Sequence, residues 1–270
     1  MHPSLPRLAL VVLVSFVAGG INAIAGGGTL LTFPALIGLG IPPVIANATS
    51  TVALWPGSLG SIWGYRGELQ GARRWAIGFA IPSLLGGAIG GVLLLRTPPV
   101  RFDALVPWLV LGATGLFIAQ QPLVSLLRRR VAAAREAHLT DAELTDAYPG
   151  WLLLGAQVVI SVYGGYFGAG MGILMLAAFG LMGLRNIHRM NGLKNWGGLC
   201  ANATAALIFA MSALVDWPVA LTMAVGGALG GYAGSRLAQA TPAPFVRRAV
   251  VAIGLASGVW LYVAQHRGLL

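Results

Sequence analysis

Charge is what this sequence has least of: Asp, Glu, Lys and Arg make up 9% of its 270 residues, and only seven of them are acidic. Soluble domains carry about 25% charged residues, so with 57% hydrophobic residues and a mean hydropathy of +0.81 the chain reads as an integral membrane protein. The single cysteine, Cys200, lies in an apolar stretch. It excludes an intrachain disulfide and a thiolate metal cluster and is expected to be a packing residue. The few carboxylates give no evident proton-coupling acid at membrane depth, because Asp103 and Asp216 fall near the ends of apolar segments. There is no HExxH, P-loop or GxSxG, and no His, Asp or Cys at ligand spacing, so no catalytic residue, metal or cofactor is expected. A membrane enzyme is the reading these absences disfavour most.

The net charge of +10 does not point to nucleic acid, since nearly all Lys and Arg lie between or at the ends of apolar segments, where the positive-inside rule places them. Eight such segments run at about 8–40, 44–64, 75–95, 104–121, 151–184, 195–214, 217–235 and 245–264. A polar stretch separates the fourth from the fifth, giving a first membrane repeat over 1–121, a linker over 122–149 and a second repeat over 150–270. Within the linker, Thr140 and Glu143 have the spacing of a helix capping box. Trp75, Trp151 and Trp217 start segments, as an interfacial aromatic belt would place them.

The first and fifth segments are too long. Thirty-three residues make about 50 Å of helix against a hydrocarbon core of about 30 Å, and glycines break both, at Gly26, Gly27 and Gly28 and at Gly168, Gly170 and Gly172. Sliding the sequence by 144 residues lays "INAIAGGGTLLTFPAL" over "GYFGAGMGILMLAAFG", so that Gly26 meets Gly170, Gly28 meets Gly172 and Asn47 meets Asn191. "GGAIGG" at 86–91 recurs as "GGALGG" at 226–231. The chain is thus two related halves with a repeated glycine break. Residues 7–25 resemble a signal peptide, but cleavage after Ala25 would remove an element whose counterpart is kept, so the segment is expected to be retained.

If every segment crosses once, Lys and Arg divide almost evenly between the two sides. If both broken segments enter and return on one side, thirteen collect on one face and only Arg7, Arg96, Arg101 and Arg267 on the other. That bias makes the thirteen, with the linker, cytoplasmic. Each half then makes an odd number of crossings, so the halves are inverted. The expected fold is an all-α polytopic membrane protein of two inverted repeats of four apolar segments each, the first of each broken by glycines and either re-entrant or crossing twice.

Non-helical backbone at membrane depth must be buried in protein or line a wet cavity. A helix restarting after Gly28 or Gly172 would present free N–H groups and a positive dipole end, which suits an anion, and Thr29 would add a hydroxyl. The alternative is that the glycines only allow close helix packing, the reading favoured for GGAIGG and GGALGG. Polar residues gather beside the breaks: Asn22, then Asn47, Ser50 and Thr51, then Asn191, Lys194 and Asn195. At the 144 offset Ser50 matches Lys194 and Thr51 matches Asn195. A lysine in or near the membrane is a functional hypothesis by default, set against snorkelling to the headgroups.

With "GGINAIAGGGTLLTFPALIGLGIPPVIANATSTVAL" near the N-terminus, "GGYFGAGMGILML" after the linker and a GGAxGG run in each half, the chain resembles the TauE/SafE family of sulfite exporter-like membrane proteins. The resemblance implies an inner-membrane transporter of a small sulfur-containing anion such as sulfite or an organosulfonate. The second half departs from it, reading "NGLKNWGG" where the first has "NATSTVA". A passive anion channel and a membrane-embedded assembly partner are the alternatives. The expected partners are the bilayer and a small anion. Oligomeric state and a coupling ion such as the proton are left open.

Overall fold

The computed structural model of the chain describes residues 5–134, 140–240 and 244–266. Among them are eleven helices and no strand. The first long apolar segment splits into α1 (Leu5–Ala25) and α2 (Thr29–Gly38), followed by α3 (Pro43–Gly64), α4 (Arg73–Arg96) and α5 (Pro99–Ala134). A short helix, α6 (Asp141–Asp146), stands in the linker. The second long segment splits in the same way into α7 (Trp151–Tyr166) and α8 (Met171–Leu181), before α9 (Ile187–Ala210), α10 (Trp217–Ala240) and α11 (Pro244–His266). Arg135 and Arg267 of the charge count lie outside the described residues.

The splits are reversals of the chain. In a continuous helix Gly28 would stand about 15 Å beyond Ala18, yet a Cβ at Gly28 would lie 2.9 Å from the Asn22 side chain and against the Ala18 carbonyl. Leu10, Val14, Ala35 and Leu39 accordingly line one apolar cleft between α1 and α2. In the second half, Gln157 of α7 and Met175 of α8, about 27 Å apart along a straight helix, both reach Gly197 of α9. The matched glycines make the turns: Gly26 has φ +79° and Gly170 φ +83°, left-handed backbone that costs a non-glycine residue about 1–2 kcal/mol. Both broken segments are thus helical hairpins, a form that a re-entrant segment and a segment crossing twice share.

Packing repeats across the halves. Helix α10 lies against α1 and α3, α4 lies against α7 and α9, α3 meets α9 in the centre, and α5 pairs with α11. Exchanging one half for the other maps the α10 contacts onto those of α4, and the α3–α9 and α5–α11 contacts onto themselves. The GGAIGG and GGALGG runs are what let the backbones approach: a Cβ at Gly57 would come 2.7 Å from the Gly227 carbonyl, and one at Gly86 2.6 Å from the Ser161 side chain. That is the close-packing use of small residues.

Helices α1 (from Arg7) and α4 are long and apolar enough to cross a membrane by length and composition alone, whereas α2, α7 and α8 are apolar but short. Helices α3 and α9 are diluted by the polar residues they bury, among them Asn47, Thr49, Ser50, Asn191, Lys194 and Asn195. Trp151 is 89% exposed at the start of α7, as an interfacial residue would be, but Trp75 is 4% exposed and stacks with Phe79 and Phe179. Its place is in the core, because α8 folds back over it.

One end of the bundle gathers the polar loops. Helix α6 begins with the capping box read from the sequence: Glu143 N–H donates to the Thr140 hydroxyl at 3.3 Å, and Thr140 N–H donates to the Glu143 carboxylate at 2.7 Å. The Asp141 carboxylate accepts the backbone N–H groups of Arg185 and Asn186 at 3.0 and 2.6 Å, which ties the linker to the α8–α9 turn. Arg74 donates to the Asp146 carbonyl at 2.6 Å, and the Asn186 amide reaches Glu68 at 3.4 Å.

Candidate functional site at the meeting of two hairpin tips

The two glycine turns meet. A Cβ at Gly26 would stand 2.6 Å from the Gly172 Cα, and one at Gly172 would stand 2.7 Å from the Gly26 Cα and 2.9 Å from the Lys194 Cδ. Only glycine on both sides allows this approach. Beside it lies a small cavity of about 30 Å³, room for roughly two waters, lined from the first half by Asn22, Gly26, Thr29, Thr51, Leu54 and Ser58. The second half contributes Gly168, Met171, Gly172, Lys194, Asn195, Gly198 and Asn202.

Lys194 is 2% exposed. Its ammonium donates to the carbonyls of Asn22 at 2.9 Å and Ala23 at 3.0 Å, in the last turn of α1. It was counted among the loop charges and instead reaches inward across the two halves, because α9 begins at Ile187 and has turned twice before position 194. An ammonium has three donors, so two hold the end of α1 and one is left for the cavity. Asn195 adds a bond from its amide to the Ala23 carbonyl at 3.2 Å. A cation on the C-terminal carbonyls of a helix also meets the negative end of its dipole.

The opposite tip is held in the matching way. Asn22 and Tyr166 are 144 residues apart, and as Lys194 of the second half binds the Asn22 carbonyl, Asn47 of the first half binds the Tyr166 carbonyl at 2.9 Å. Charge breaks the correspondence. Ser50, the counterpart of Lys194, is fully buried and shares a 2.6 Å hydrogen bond with Thr32.

Helix starts face the same region. The N–H groups of Gly27, Gly28 and Thr29 donate to no backbone carbonyl among the described residues, and neither does that of Gly172, whereas Leu30 donates to the Gly27 carbonyl and Ile173 to that of Gly170. These are the unsatisfied first-turn donors of α2 and α8.

Of the residues singled out in the sequence, Asn22, Gly26, Thr29, Thr51, Gly172, Lys194 and Asn195 line the cavity. Gly27 and Gly28 form the turn behind it, Gly28 wedged against α1. Gly170 sits against Ala113 of α5, and Asn191 is buried one turn before Lys194. Asn47 and Ser50 brace the hairpins from outside the cavity. Sequence reasoning missed Ser58 and Asn202. Both stand well away from the glycine motifs, but the 144-residue offset relates them, and that signal would have found them together. No group of three or more His, Cys, Asp or Glu that would hold a metal ion occurs among the described residues.

Comparisons with known proteins match the chain over nearly its whole length. Residues 11–261 match the family model described as sulfite exporter TauE/SafE. A probable membrane transporter protein of Haemophilus influenzae is 30% identical over 254 residues, covering 93% of this chain and 92% of the relative. The probable membrane transporter protein YfcA of Escherichia coli K12 is 28% identical over 270 residues, covering 96% and 91%. Probable membrane transporter protein ORF9 of a Sinorhizobium species is 26% identical, covering 94% and 92%. No solved structure matches the chain. With nearly its whole length inside the family model, the chain belongs to the sulfite exporter TauE/SafE family of membrane proteins.

Proposed function

We propose that this protein is a secondary transporter that exports a small sulfur-containing anion, sulfite or an organosulfonate, across the cytoplasmic membrane. The relatives' names as probable membrane transporters support transport, and the family description supports a sulfur oxyanion. The observation that carries the reading is Lys194: a buried ammonium with a donor to spare, in a cavity flanked by the unsatisfied first turns of α2 and α8. Each of these features favours negative charge. The anion takes the free ammonium proton, the Thr29 hydroxyl and the first-turn N–H groups of α2 and Gly172, with Asn22, Thr51 and Asn195 around it.

Two halves inverted across the membrane, with a site at their meeting point, are a recurrent plan for alternating access. The cavity holds roughly two waters, less than the four heavy atoms of sulfite, so loading requires the hairpin tips to separate. The basic loops and α6 face the cytoplasm by the positive-inside bias. In proteoliposomes, labelled sulfite or sulfonate should enter with saturable kinetics and exchange against unlabelled anion on the far side. Flux that never saturates and shows no counterflow would indicate a channel, and no anion flux at all would refute the reading.

A further inference from the structure

Ser58 and Asn202 carry hydrogen-bonding groups that the fold does not use. Ser58 is 3% exposed and Asn202 part-buried, both line the cavity, and neither side chain has a hydrogen-bond partner among the described residues. By contrast, the Thr51 hydroxyl donates to the Asn47 carbonyl at 3.0 Å, and two of the three Lys194 donors and the Asn195 amide are used on α1. Polar groups that line a cavity and are not used by the fold are free to pair with a ligand there.

Their placement gives the cavity two unlike ends. Helices α3 and α9 run antiparallel: Glu68, just past the end of α3, reaches Asn186 at the start of α9, while Thr49 near the start of α3 accepts the N–H of Asp216 beyond the end of α9. Trp55 donates to the Leu199 carbonyl at 3.1 Å, and these two positions are themselves 144 apart, so the crossing lies on the repeat axis. Ser58 therefore lies toward Lys194 and Asn195, and Asn202 lies toward Thr51. Seven helical residues separate Thr51 from Ser58, a rise of roughly 10 Å. One end has the ammonium. The other has an amide and a hydroxyl and, among the described residues that line it, no cation, the counterpart of Lys194 being Ser50.

We infer that Asn202 is a specificity-determining residue that contacts the uncharged polar end of the transported anion, while Ser58 joins Lys194 at its charged end. This rests on the anion-transport reading above. The ligand class it names is a small sulfonate with a neutral hydrogen-bonding tail. A bare alkyl tail leaves the Asn202 amide unpaired, and a carboxylate tail brings a second negative charge to an end with nothing to neutralise it.

The test is calorimetric binding of ethanesulfonate, 2-hydroxyethanesulfonate and sulfoacetate to the purified full-length protein, its Asn202→Leu and Asn202→Ser variants, and Ser58→Ala. For the native chain, 2-hydroxyethanesulfonate should bind about tenfold tighter than ethanesulfonate and tighter than sulfoacetate. Asn202→Leu should erase the preference for the hydroxyl by weakening 2-hydroxyethanesulfonate and tightening ethanesulfonate, and the retained ethanesulfonate binding also shows that the variant is folded. Asn202→Ser should keep part of the preference, and Ser58→Ala should weaken all three ligands alike. An unchanged hydroxyl preference in Asn202→Leu, or sulfoacetate as the tightest native ligand, overturns the assignment while leaving anion binding intact. Absence of binding by any sulfonate or by sulfite to the native protein overturns both this inference and the transport reading.

Discussion

Replacing Lys194 with Met separates two roles that one lysine side chain can play. If it only caps α1, the variant loses two hydrogen bonds to a charged donor, about 1.5–3 kcal/mol each, and leaves the Asn22 carbonyl without its partner. In that role anion affinity would be unmoved. In either role the empty protein bears the burial of the ammonium, which costs several kcal/mol with no carboxylate beside it among the described residues. Removing it then offsets most of the lost bonds, and Asn195 still holds the Ala23 carbonyl. The expected change in unliganded stability is within about 1 kcal/mol of zero. Binding responds in the opposite sense, because truncating one partner of a buried charged contact costs about 2–5 kcal/mol. At the low end that raises the dissociation constant about 30-fold. An anion at about 100 times its native dissociation constant stabilises the native protein by about 2.7 kcal/mol, and the same concentration would stabilise Lys194→Met by only about 0.9 kcal/mol. Thermal unfolding in detergent with and without sulfite measures both quantities in one titration. A variant that melts much earlier when empty, yet gains as much from the anion as the native protein, would refute the reasoning.

Other expectations follow from the packing and the linker. Gly26→Ala should cost about 2 kcal/mol or more, because it combines a left-handed φ with a clash on the Gly172 backbone; Gly38→Ala, which meets open space, should be neutral or slightly stabilising in the same melts. Asp141→Ala should free the N–H groups of Arg185 and Asn186, and hydrogen exchange should show both those amides and α6 losing protection together. The Glu143 carboxyl is held below the usual carboxylate range, first by the Thr140 N–H and then by the Thr140 hydroxyl. Since its folded value is lowered, the cap contributes above the unfolded value and is lost as pH falls through the folded one. Exchange protection of α6 should therefore be flat at neutral pH and drop only in acid, and Glu143→Gln should remove that drop.

The repeat was legible because glycine positions are fixed by contact rather than by surface preference. Gly26 and Gly170 are both left-handed, so the offset that pairs them in sequence pairs equivalent turns in space. The capping box at Thr140 was legible because it is local, complete within four residues. Trp75 was not, since its burial depends on Phe179, more than a hundred residues away, folding back over it. Lys194 showed as an anomaly of composition, but its direction was hidden: snorkelling outward and reaching to α1 differ only in what stands beside α9. Ser58 and Asn202 were missed for a related reason. Search for polar residues near the glycine breaks follows chain proximity, whereas these two reach the cavity because α3 and α9 cross.

The central claim is that an anion sits where the hairpin tips meet, against Lys194. Its most direct test is a crystal of the full-length protein grown with selenite, which mimics sulfite and can be located by anomalous scattering at the selenium edge. The account predicts one strong peak within hydrogen-bonding distance of the Lys194 ammonium and the first turn of α2, lost in Lys194→Met. Selenium found only among the arginines at the linker end of the bundle, with the cavity empty at saturating selenite, would contradict it.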